Sequence, residues 1–212
     1  PRDRYVATAA IARTGGGQHH AVGTVRQQMG CWGSRVGARI FSPADEIEVA
    51  VLGLGQMGRT AAQTLLQHGY RVSGWSANPC TLSGINTSSG DAALPTLLAS
   101  AHIVVNLLPL TPATRGLFNA QTFAQMRPGA SLVNLARGAH VVDVDLIAAL
   151  DRGHLQHALL DVFNTEPLPA DHPFWRHAQV TVLPHVAAQT DPGSAAPIAA
   201  DNVRAFRAGR TP

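Results

Sequence analysis

The sequence predicts an α/β domain built on a doubly wound parallel sheet and preceded by a short helical segment. Three observations support this prediction. From Glu46 onward, short apolar runs alternate with helical segments at the spacing expected of βαβ units. Several of these runs are almost continuously apolar, which is typical of parallel strands covered on both faces. A glycine-rich turn follows the first run directly, as it does where such folds pass from strand to helix.

The predicted elements can be placed in order along the chain. Strands are expected at 48–52, 71–75, 103–107, 131–134, 158–161 and 180–183. Helices are expected at 57–68, 92–99, 119–126, 143–151 and 194–208, and Asp143 is expected to cap the fourth of these. Residues 1–45 are expected to form two short helices, near 2–13 and 21–29, around a Gly/His break. The predicted domains are therefore 1–45 and 46–212.

Composition excludes several classes of function. The 212 residues are 45% hydrophobic, and no apolar run approaches the roughly 18 residues that span a membrane. All 16 Lys and Arg positions hold arginine, scattered along the chain, so no nucleic-acid partner is expected. The absence of lysine excludes a Walker lysine, a Schiff-base lysine and a lysine acid/base. Two cysteines and the lack of a secretory segment favour a cytoplasmic location, and a chain that opens with Pro1 is expected to be a fragment or a processed product.

The glycine-rich turn has the spacing G-x-G-x-x-G at residues 53–58. Gly53 suits the tight turn after a strand, Gly55 leaves room for a pyrophosphate near the backbone, and Gly58 allows the helix to pack on the strand. The free N–H groups and the dipole at the start of that helix favour an anion. Because the turn follows a strand and opens an apolar-faced helix, it predicts a dinucleotide site of the Rossmann type. The alternative is a tight turn whose glycines are incidental.

The end of the second strand distinguishes NAD from NADP in such folds. The sequence there is GWSAN, ending at Asn78, and no acidic residue occurs between Gly53 and Asp91. A carboxylate at this position would repel a 2′-phosphate, so its absence favours NADP, with NAD as the alternative. The cation for that phosphate would have to come from Arg59 or from a neighbouring loop.

Three polar side chains follow predicted strands, at the edge where ligands bind in parallel α/β sheets. They are Arg137, Glu166 and His185. This set suits a 2-oxo acid, because a guanidinium binds carboxylate and carbonyl oxygens in a planar fork and a histidine exchanges protons near neutral pH. Glu166 would orient the imidazole, and Asp161 is the reserve candidate for that role or for a contact with a nicotinamide amide. The alternative interpretation is three ordinary surface side chains.

Four longer stretches carry a specific resemblance. They are VLGLGQMG, VNLLPLTPATRGLFN, LVNLARGAHVVDVDLIAALDRGHLQHALLDVFNTEPLPADHPFW and VTVLPHVAAQT, within residues 48–208. In these stretches the chain resembles the D-isomer-specific 2-hydroxyacid dehydrogenases, and among them the glyoxylate/hydroxypyruvate reductase A type. The resemblance implies that Arg137 binds the substrate, that His185 is the acid/base and that Glu166 is its partner. It also implies a set of cofactor contacts, namely Gly53, Gly55, Gln56, Met57, Gly58, Ser76, Leu108, Pro109, Thr114, Leu135, Ala136 and Asp161.

The resemblance further implies NADPH as the usual cofactor, glyoxylate or hydroxypyruvate as the substrate, and a homodimer when the protein is full length. The chain differs from the family pattern in two places. Family members of this type usually have W-S-R where this chain has Trp75, Ser76 and Ala77. They also carry a longer N-terminal substrate domain, of which residues 4–32 resemble the end, so an N-terminally truncated protein is expected. A dinucleotide-binding module with weak or no catalysis is therefore the alternative function.

Other classes of function were compared with this one. The β-hydroxyacid dehydrogenases share the GLGxMG turn, but their acid/base is a lysine, which this chain lacks. Corepressors related to the family use the same fold to sense nucleotides and bind partners. No metal is expected, although His154 and His157 are close in sequence and His19 adjoins His20. His154 follows a predicted helix and His157 opens a predicted strand, so the two are not expected to share a face.

Overall fold

The computed structural model describes residues 43–188 and 192–210, and at its centre lies a seven-stranded sheet. The strands are β1 (Glu48–Leu52), β2 (Arg71–Ser76), β3 (Asn86–Ser89), β4 (Ile103–Asn106), β5 (Ala130–Asn134), β6 (Leu155–Leu160) and β7 (Val180–Val182). Their order in the sheet is β3-β2-β1-β4-β5-β6-β7, and all six pairings are parallel. The order reverses between β1 and β4, which opens a crevice at the carboxyl edge of the sheet.

Helices connect the strands. They are α1 (Gln56–Gln67), α2 (Leu94–Ser100), α3 (Ala120–Gln125), α4 (Asp143–Asp151) and α5 (Pro192–Arg207). Short 3-10 turns occur at Ala44–Glu46, Asp91–Ala93, Gly138–His140 and Pro173–Trp175. Residues 43–187 form one compact unit that contains the sheet, and residues 188 and 192–210 belong to a second. Of the helices in these described ranges, none is long and apolar enough to cross a membrane.

Both faces of the sheet are covered, as β1 illustrates. Ala50 and Leu52 belong to one hydrophobic core, while Val49 and Val51 belong to a second core that includes Leu65 of α1. All five are at most 1% exposed. Burying an aliphatic side chain of this size contributes about 1.5–3 kcal/mol, and burial on both faces explains why the strand is apolar at every position.

The register of the sheet aligns the carboxyl ends of six strands. The last aligned residues are Trp75, Leu52, Asn106, Asn134, Leu160 and Val182, each paired with its neighbour across the sheet. The loops that follow therefore all leave from one edge. This alignment is what brings residues distant in sequence into one site.

The prediction of a doubly wound parallel sheet is confirmed, but one strand was missed and the N-cap of one helix was wrongly assigned. β3 was not expected because its sequence, NTSS, has no apolar residue, which an edge strand tolerates. The expectation that Asp143 caps α4 is wrong: Val142 is the N-cap, and its side chain makes no capping bond. Asp143 is the first residue of the helix, and its Oδ1 accepts a hydrogen bond of 3.1 Å from Nδ2 of Asn164. The two helices predicted within 2–29, and the predicted domain 1–45 as far as residue 42, lie outside the described residues.

Candidate active site

The glycine turn at residues 53–58 joins β1 to α1 at the carboxyl edge. Gly53 has a φ of 96°, a left-handed conformation that disfavours a side chain, and a Cβ there would lie 2.6 Å from the carbonyl oxygen of Leu107. A Cβ on Gly58 would lie 1.7 Å from the carbonyl oxygen of Gly53. The turn therefore requires both glycines for its own packing, and the loop after β4 lies directly against it.

Gly55 differs from these two glycines because it faces open space. A Cβ there would meet no other part of the described chain within 4 Å. Gly55 is the N-cap of α1, the neighbouring Gln56 and Met57 are exposed, and the first turn holds no acidic side chain. Arg59 lies beside the turn, where its Nε donates to the carbonyl oxygen of Leu54 at 2.9 Å. Free N–H groups, an adjacent guanidinium and open space together fit a pyrophosphate.

The end of β2 lies beside this turn and carries a hydroxyl instead of a carboxylate. The Oγ of Ser76 donates to the carbonyl oxygen of Asn78 at 2.5 Å and lies 3.5 Å from Sγ of Cys80. This local bonding holds the start of the loop after β2. An adenosine ribose at this place would meet a hydroxyl and backbone groups without negative charge, which fits a 2′-phosphate.

Most of the remaining candidate cofactor residues lie in the loops after β4 and β5, whereas Asp161 follows β6. Leu108, Leu135 and Ala136 are buried, with relative exposures of 6%, 8% and 4%. Pro109 is exposed, and its carbonyl oxygen accepts a hydrogen bond of 2.7 Å from Oγ1 of Thr114. The structure therefore brings these residues to the edge of the sheet that carries the glycine turn.

Arg137 leaves the end of β5 with an extended backbone and an exposed side chain. Its Nη1 donates to the carbonyl oxygen of Ala136 at 2.6 Å. The next residue, Gly138, packs so closely that a Cβ would lie 1.9 Å from the carbonyl carbon of Phe163. The loop of Arg137 therefore rests on the loop that carries Glu166, although 29 residues separate them in sequence.

His185 and Glu166 form a direct pair. The Nδ1–H of His185 donates to Oε2 of Glu166 at 2.8 Å, and Oε1 of Glu166 accepts from the backbone N–H of Phe163 at 2.9 Å. Burial raises the pKa of Glu166, but the hydrogen bonds from His185 and Phe163 and the positive charges of His185 and Arg137 outweigh it, so this pKa is lower than usual. Since the carboxylate holds Nδ1, Nε2 is the ring nitrogen that faces away from Glu166.

Asp161 holds the backbone of the turn that carries His185. Its side chain is 1% exposed, and its two oxygens accept hydrogen bonds of 2.9 Å from the backbone N–H groups of Val186 and Ala187. His185 itself has a φ of 55°, a left-handed conformation that costs a non-glycine residue energy. The buried carboxylate therefore fixes the turn that presents the imidazole. The sequence predicted Asp161 near the site but not this anchoring contact.

Three further residues at this edge were missed by sequence reasoning. Asn106, Asn134 and His140 have side chains with 0% exposure, and they bond to one another. The sequence held a sign of the two asparagines, since the apolar runs of two adjacent strands each end in asparagine, as IVVN and LVN. A polar residue at the end of a buried strand needs hydrogen-bond partners, because its desolvation must be compensated.

The paired histidines suggested by spacing have separate partners. Nε2 of His154 contacts the carbonyl oxygen of Met126 at 3.1 Å, whereas Nε2 of His157 contacts Oγ1 of Thr181 at 2.9 Å. Within residues 43–188 and 192–210, no group of three or more His, Cys, Asp or Glu side chains is arranged to hold a metal ion. His19 and His20 lie outside the described residues.

A parallel sheet in this strand order, with an open glycine turn at the head of its first helix, is the architecture of a Rossmann-type dinucleotide-binding domain. Residues 17–187 match the family model described as "D-isomer specific 2-hydroxyacid dehydrogenase, NAD binding domain". The chain belongs to the D-isomer specific 2-hydroxyacid dehydrogenase family, as its sequence predicted.

Individual relatives agree with this assignment. The chain is 46% identical over 168 residues to glyoxylate/hydroxypyruvate reductase A of Serratia proteamaculans, covering 79% of this chain and 54% of that protein. A family member from Xanthobacter autotrophicus Py2, solved in complex with NADPH and MES, has a TM-score of 0.82 at 40% identity, covering 99% of this chain and 86% of the other. The NADPH-dependent glyoxylate/hydroxypyruvate reductase of Sinorhizobium meliloti, solved with NADP and sulfate, has a TM-score of 0.78 at 31% identity, covering 97% and 67%. The chain spans about half the length of the curated relatives it matches.

Proposed function

We propose that this chain is the cofactor-binding and catalytic part of an NADPH-dependent reductase of short 2-oxo acids, glyoxylate or hydroxypyruvate. The observation that carries the proposal is the hydrogen bond of 2.8 Å between His185 and Glu166. The loop that contains Glu166 packs against the loop that contains Arg137. The pair lies at the same edge of the sheet as the open glycine turn. The names of the Serratia and Sinorhizobium proteins support the choice of substrates.

Each side chain has a defined role in the proposed reaction. Arg137 binds the substrate carboxylate and polarises the carbonyl oxygen through its planar set of N–H donors. Nε2 of His185 delivers a proton to that oxygen while the carbonyl carbon accepts a hydride, which the nicotinamide supplies when bound. Glu166 stays ionised because its pKa is lowered, and it stabilises the positive charge of the imidazole until the proton leaves. In the reverse direction the hydroxyl returns its proton to His185.

The proposed cofactor is NADPH, with NADH as the alternative. The chain has no acidic residue from Gly53 to Gly90 that would repel a 2′-phosphate, and the exposed Arg59 lies beside the glycine turn. The NADPH and NADP complexes of the Xanthobacter and Sinorhizobium proteins support the same choice. The proposed contacts are those predicted from the sequence, namely Gly53, Gly55, Gln56, Met57, Gly58, Ser76, Leu108, Pro109, Thr114, Leu135, Ala136 and Asp161.

A dinucleotide-binding module of low activity is the second candidate. The match to 54% of the Serratia reductase favours it, because a 2-oxo acid needs contacts on both sides of its carboxylate. In this proposal, residues 1–45 are the end of a substrate domain and 46–212 bind the dinucleotide. For the longer protein we propose a cytoplasmic homodimer, which sedimentation analysis and cell fractionation would test.

The test combines turnover with binding. The purified chain is mixed with NADPH and glyoxylate or hydroxypyruvate, the loss of NADPH absorbance is followed, and glycolate or glycerate is identified by mass spectrometry. His185→Ala should lower kcat by about 100-fold or more while leaving NADPH affinity nearly unchanged. His177→Ala is the matched control, because it removes a histidine whose Nε2 lies 3.2 Å from a carboxylate oxygen of Asp151 elsewhere in the domain.

The outcomes separate the candidates. NADPH binding without turnover in the parent chain supports the module of low activity. Turnover that His185→Ala leaves intact contradicts the assignment of the acid/base. A parent chain that binds neither NADPH nor NADH contradicts both candidates.

A further inference from the structure

Asparagines at the ends of two adjacent strands shape the loops of the candidate site in the same way. Asn106 ends β4, Asn134 ends β5, and the two are paired in register. Each Oδ1 accepts a hydrogen bond from the backbone N–H two residues further on, that of Leu108 at 3.2 Å and that of Ala136 at 3.2 Å. Both side chains are fully buried. The asparagines therefore set the first turn of each loop.

The side-chain nitrogens extend these turns into a continuous path. Nδ2 of Asn106 donates to Oδ1 of Asn134 at 2.9 Å and to Nδ1 of His140 at 3.1 Å. Nδ2 of Asn134 donates to the carbonyl oxygen of Arg137 at 3.0 Å. Nε2 of His140 donates to the carbonyl oxygen of Pro109 at 3.3 Å. Hydrogen bonds thus connect Pro109 with Arg137 through the interior of the domain.

The direction of each bond is fixed by chemistry. Because the Oδ1 atoms of Asn106 and Asn134 accept from backbone N–H groups, the Nδ2 atoms are the donors. His140 must then leave Nδ1 unprotonated, and Nε2 must carry the proton because a carbonyl oxygen can accept but not donate. Burial lowers the pKa of His140, and the charges of Arg137 and Arg115 lower it further against the opposing effect of the Pro109 and Arg137 carbonyls. The imidazole is therefore neutral, as the path requires.

Filling space does not account for this set of residues. Leucine or phenylalanine would fill the interior without the cost of desolvating polar atoms. The backbone ladder already fixes β4 against β5. The hydrogen-bonded path additionally fixes the position of two loops relative to each other beyond the strand ends. One loop contains Pro109 and the other contains Arg137.

We propose that His140 is a positioning residue that holds the loop of Pro109 and the backbone of Arg137 in one arrangement through Asn106 and Asn134. The inference rests on the proposed function, which places the cofactor at Pro109 and the substrate at Arg137. Each ring nitrogen then controls a different half of the site. The bond at Nδ1 governs substrate affinity, and the bond at Nε2 governs cofactor affinity.

Two substitutions at His140 separate these bonds. In His140→Gln, the side-chain amide can still reach Pro109 but offers no acceptor at the Nδ1 position, so Asn106 loses its partner. In His140→Asn, Oδ1 can still accept from Asn106, but the bond to Pro109 is lost. Losing one such bond corresponds to about a threefold to tenfold change in affinity. We expect His140→Gln to weaken substrate binding by that factor and His140→Asn to weaken cofactor binding by that factor.

The measurements are the Kd of NADPH, the Kd of oxalate for the NADPH-loaded chain, and the KM for glyoxylate. Oxalate serves as a carboxylate probe that cannot be reduced. His154→Gln is the matched control, because His154 is a partly buried histidine that contacts the carbonyl of Met126 before β6 begins. It should change neither Kd. Equal weakening of both ligands by both His140 variants, or no change in either, would overturn the proposal.

An independent measurement keeps the test valid if the variants fold poorly. The nitrogen NMR shifts of the His140 imidazole in the parent chain should show a neutral ring with the proton on Nε2. A proton on Nδ1, or a charged ring at neutral pH, would overturn the proposal without reference to activity. If the parent chain binds NADPH but does not reduce glyoxylate, the proposal of an active reductase gives way to the module of low activity, while the opposite effects of the two variants on NADPH and oxalate still decide the role of His140.

Discussion

The pair of His185 and Glu166 depends on a charge as well as on a hydrogen bond. Glu166→Gln keeps an oxygen that can accept from Nδ1 of His185, but it removes the negative charge that stabilises the imidazolium. We expect kcat for glyoxylate to fall by about 10- to 100-fold, with the Kd of NADPH nearly unchanged. Steady-state kinetics and a cofactor titration measure the two quantities. Asp151→Asn, which alters the exposed carboxylate beside His177, should leave kcat unchanged, and an equal fall in both variants would contradict the assignment.

Asp161 acts on His185 through the backbone. Asp161→Asn replaces one of two acceptor oxygens by an N–H₂ group, which would face the N–H of Val186 or Ala187. We expect the free energy of unfolding to fall by about 1–3 kcal/mol, because a buried N–H is left without an acceptor. We also expect kcat to fall, because the left-handed turn at His185 loses its support. Urea unfolding and kinetics on the same variant test this. A stability loss with normal kcat would mean that Asp161 supports the fold but not the imidazole.

At the level of secondary-structure elements, two glycines near the start of α1 are expected to have different roles. One leaves space for the cofactor, and the other is required by the packing of the fold. Gly55→Ala adds a methyl group to open space at a φ of −70°, which alanine adopts freely. We expect the free energy of unfolding to change by less than about 1 kcal/mol and NADPH affinity to fall by roughly tenfold, because the methyl group occupies room for the pyrophosphate. Thermal unfolding with and without NADPH measures both effects.

Gly58→Ala is the contrasting substitution in the same helix. Its Cβ would lie 1.7 Å from the carbonyl oxygen of Gly53, so the turn after β1 and the helix must move apart. We expect a loss of stability of about 1–3 kcal/mol or more even without cofactor. If Gly55→Ala destabilised the domain as much as Gly58→Ala, or left NADPH affinity intact, the open turn would not be the pyrophosphate site.

Across the chain as a whole, the sequence predicted what depends on local pattern. Parallel strands buried on both faces produce continuous apolar runs, and a glycine turn after the first of them produces a recognisable spacing. Arg137, Glu166 and His185 could be proposed because parallel strands end at one edge, and the structure places the loops of Arg137 and Glu166 in contact through Gly138. These predictions required only strand order and chain direction.

What the sequence could not supply were contacts between loops. The polar edge strand β3 lacks the apolar pattern of a strand, because it is held by backbone pairing with β2. The bonds from Asp161 to the turn at His185, and those that join Asn106 to His140, depend on groups 25 to 34 residues apart meeting in three dimensions. Periodicity carries no information about such pairs, whereas the register of the sheet determines them.

Folding lowers the pKa of three groups in the domain of residues 43–187. Burial is the main cause for His140 and His102, and the charges of Arg137 and Arg127 respectively act in the same direction. For Glu166, favourable hydrogen bonds and positive neighbours outweigh burial. In each case the unfolded chain takes up a proton at a higher pH than the folded chain does. The free energy of unfolding therefore falls as the pH falls.

The two histidines and Glu166 are expected to cause two separate declines in the free energy of unfolding, each at a different pH. The histidine contributions are complete above their ordinary pKa of 6.5 and are lost progressively as the pH falls below it, whereas the Glu166 contribution is lost below its ordinary pKa of 4.5. Urea unfolding across a series of pH values from about 8 to about 3 should resolve both declines. His102→Gln should remove part of the upper decline and leave the lower one, and Glu166→Gln should do the opposite. A free energy of unfolding that stays constant from about pH 8 to below about pH 6 would show that neither histidine resists protonation in the folded domain.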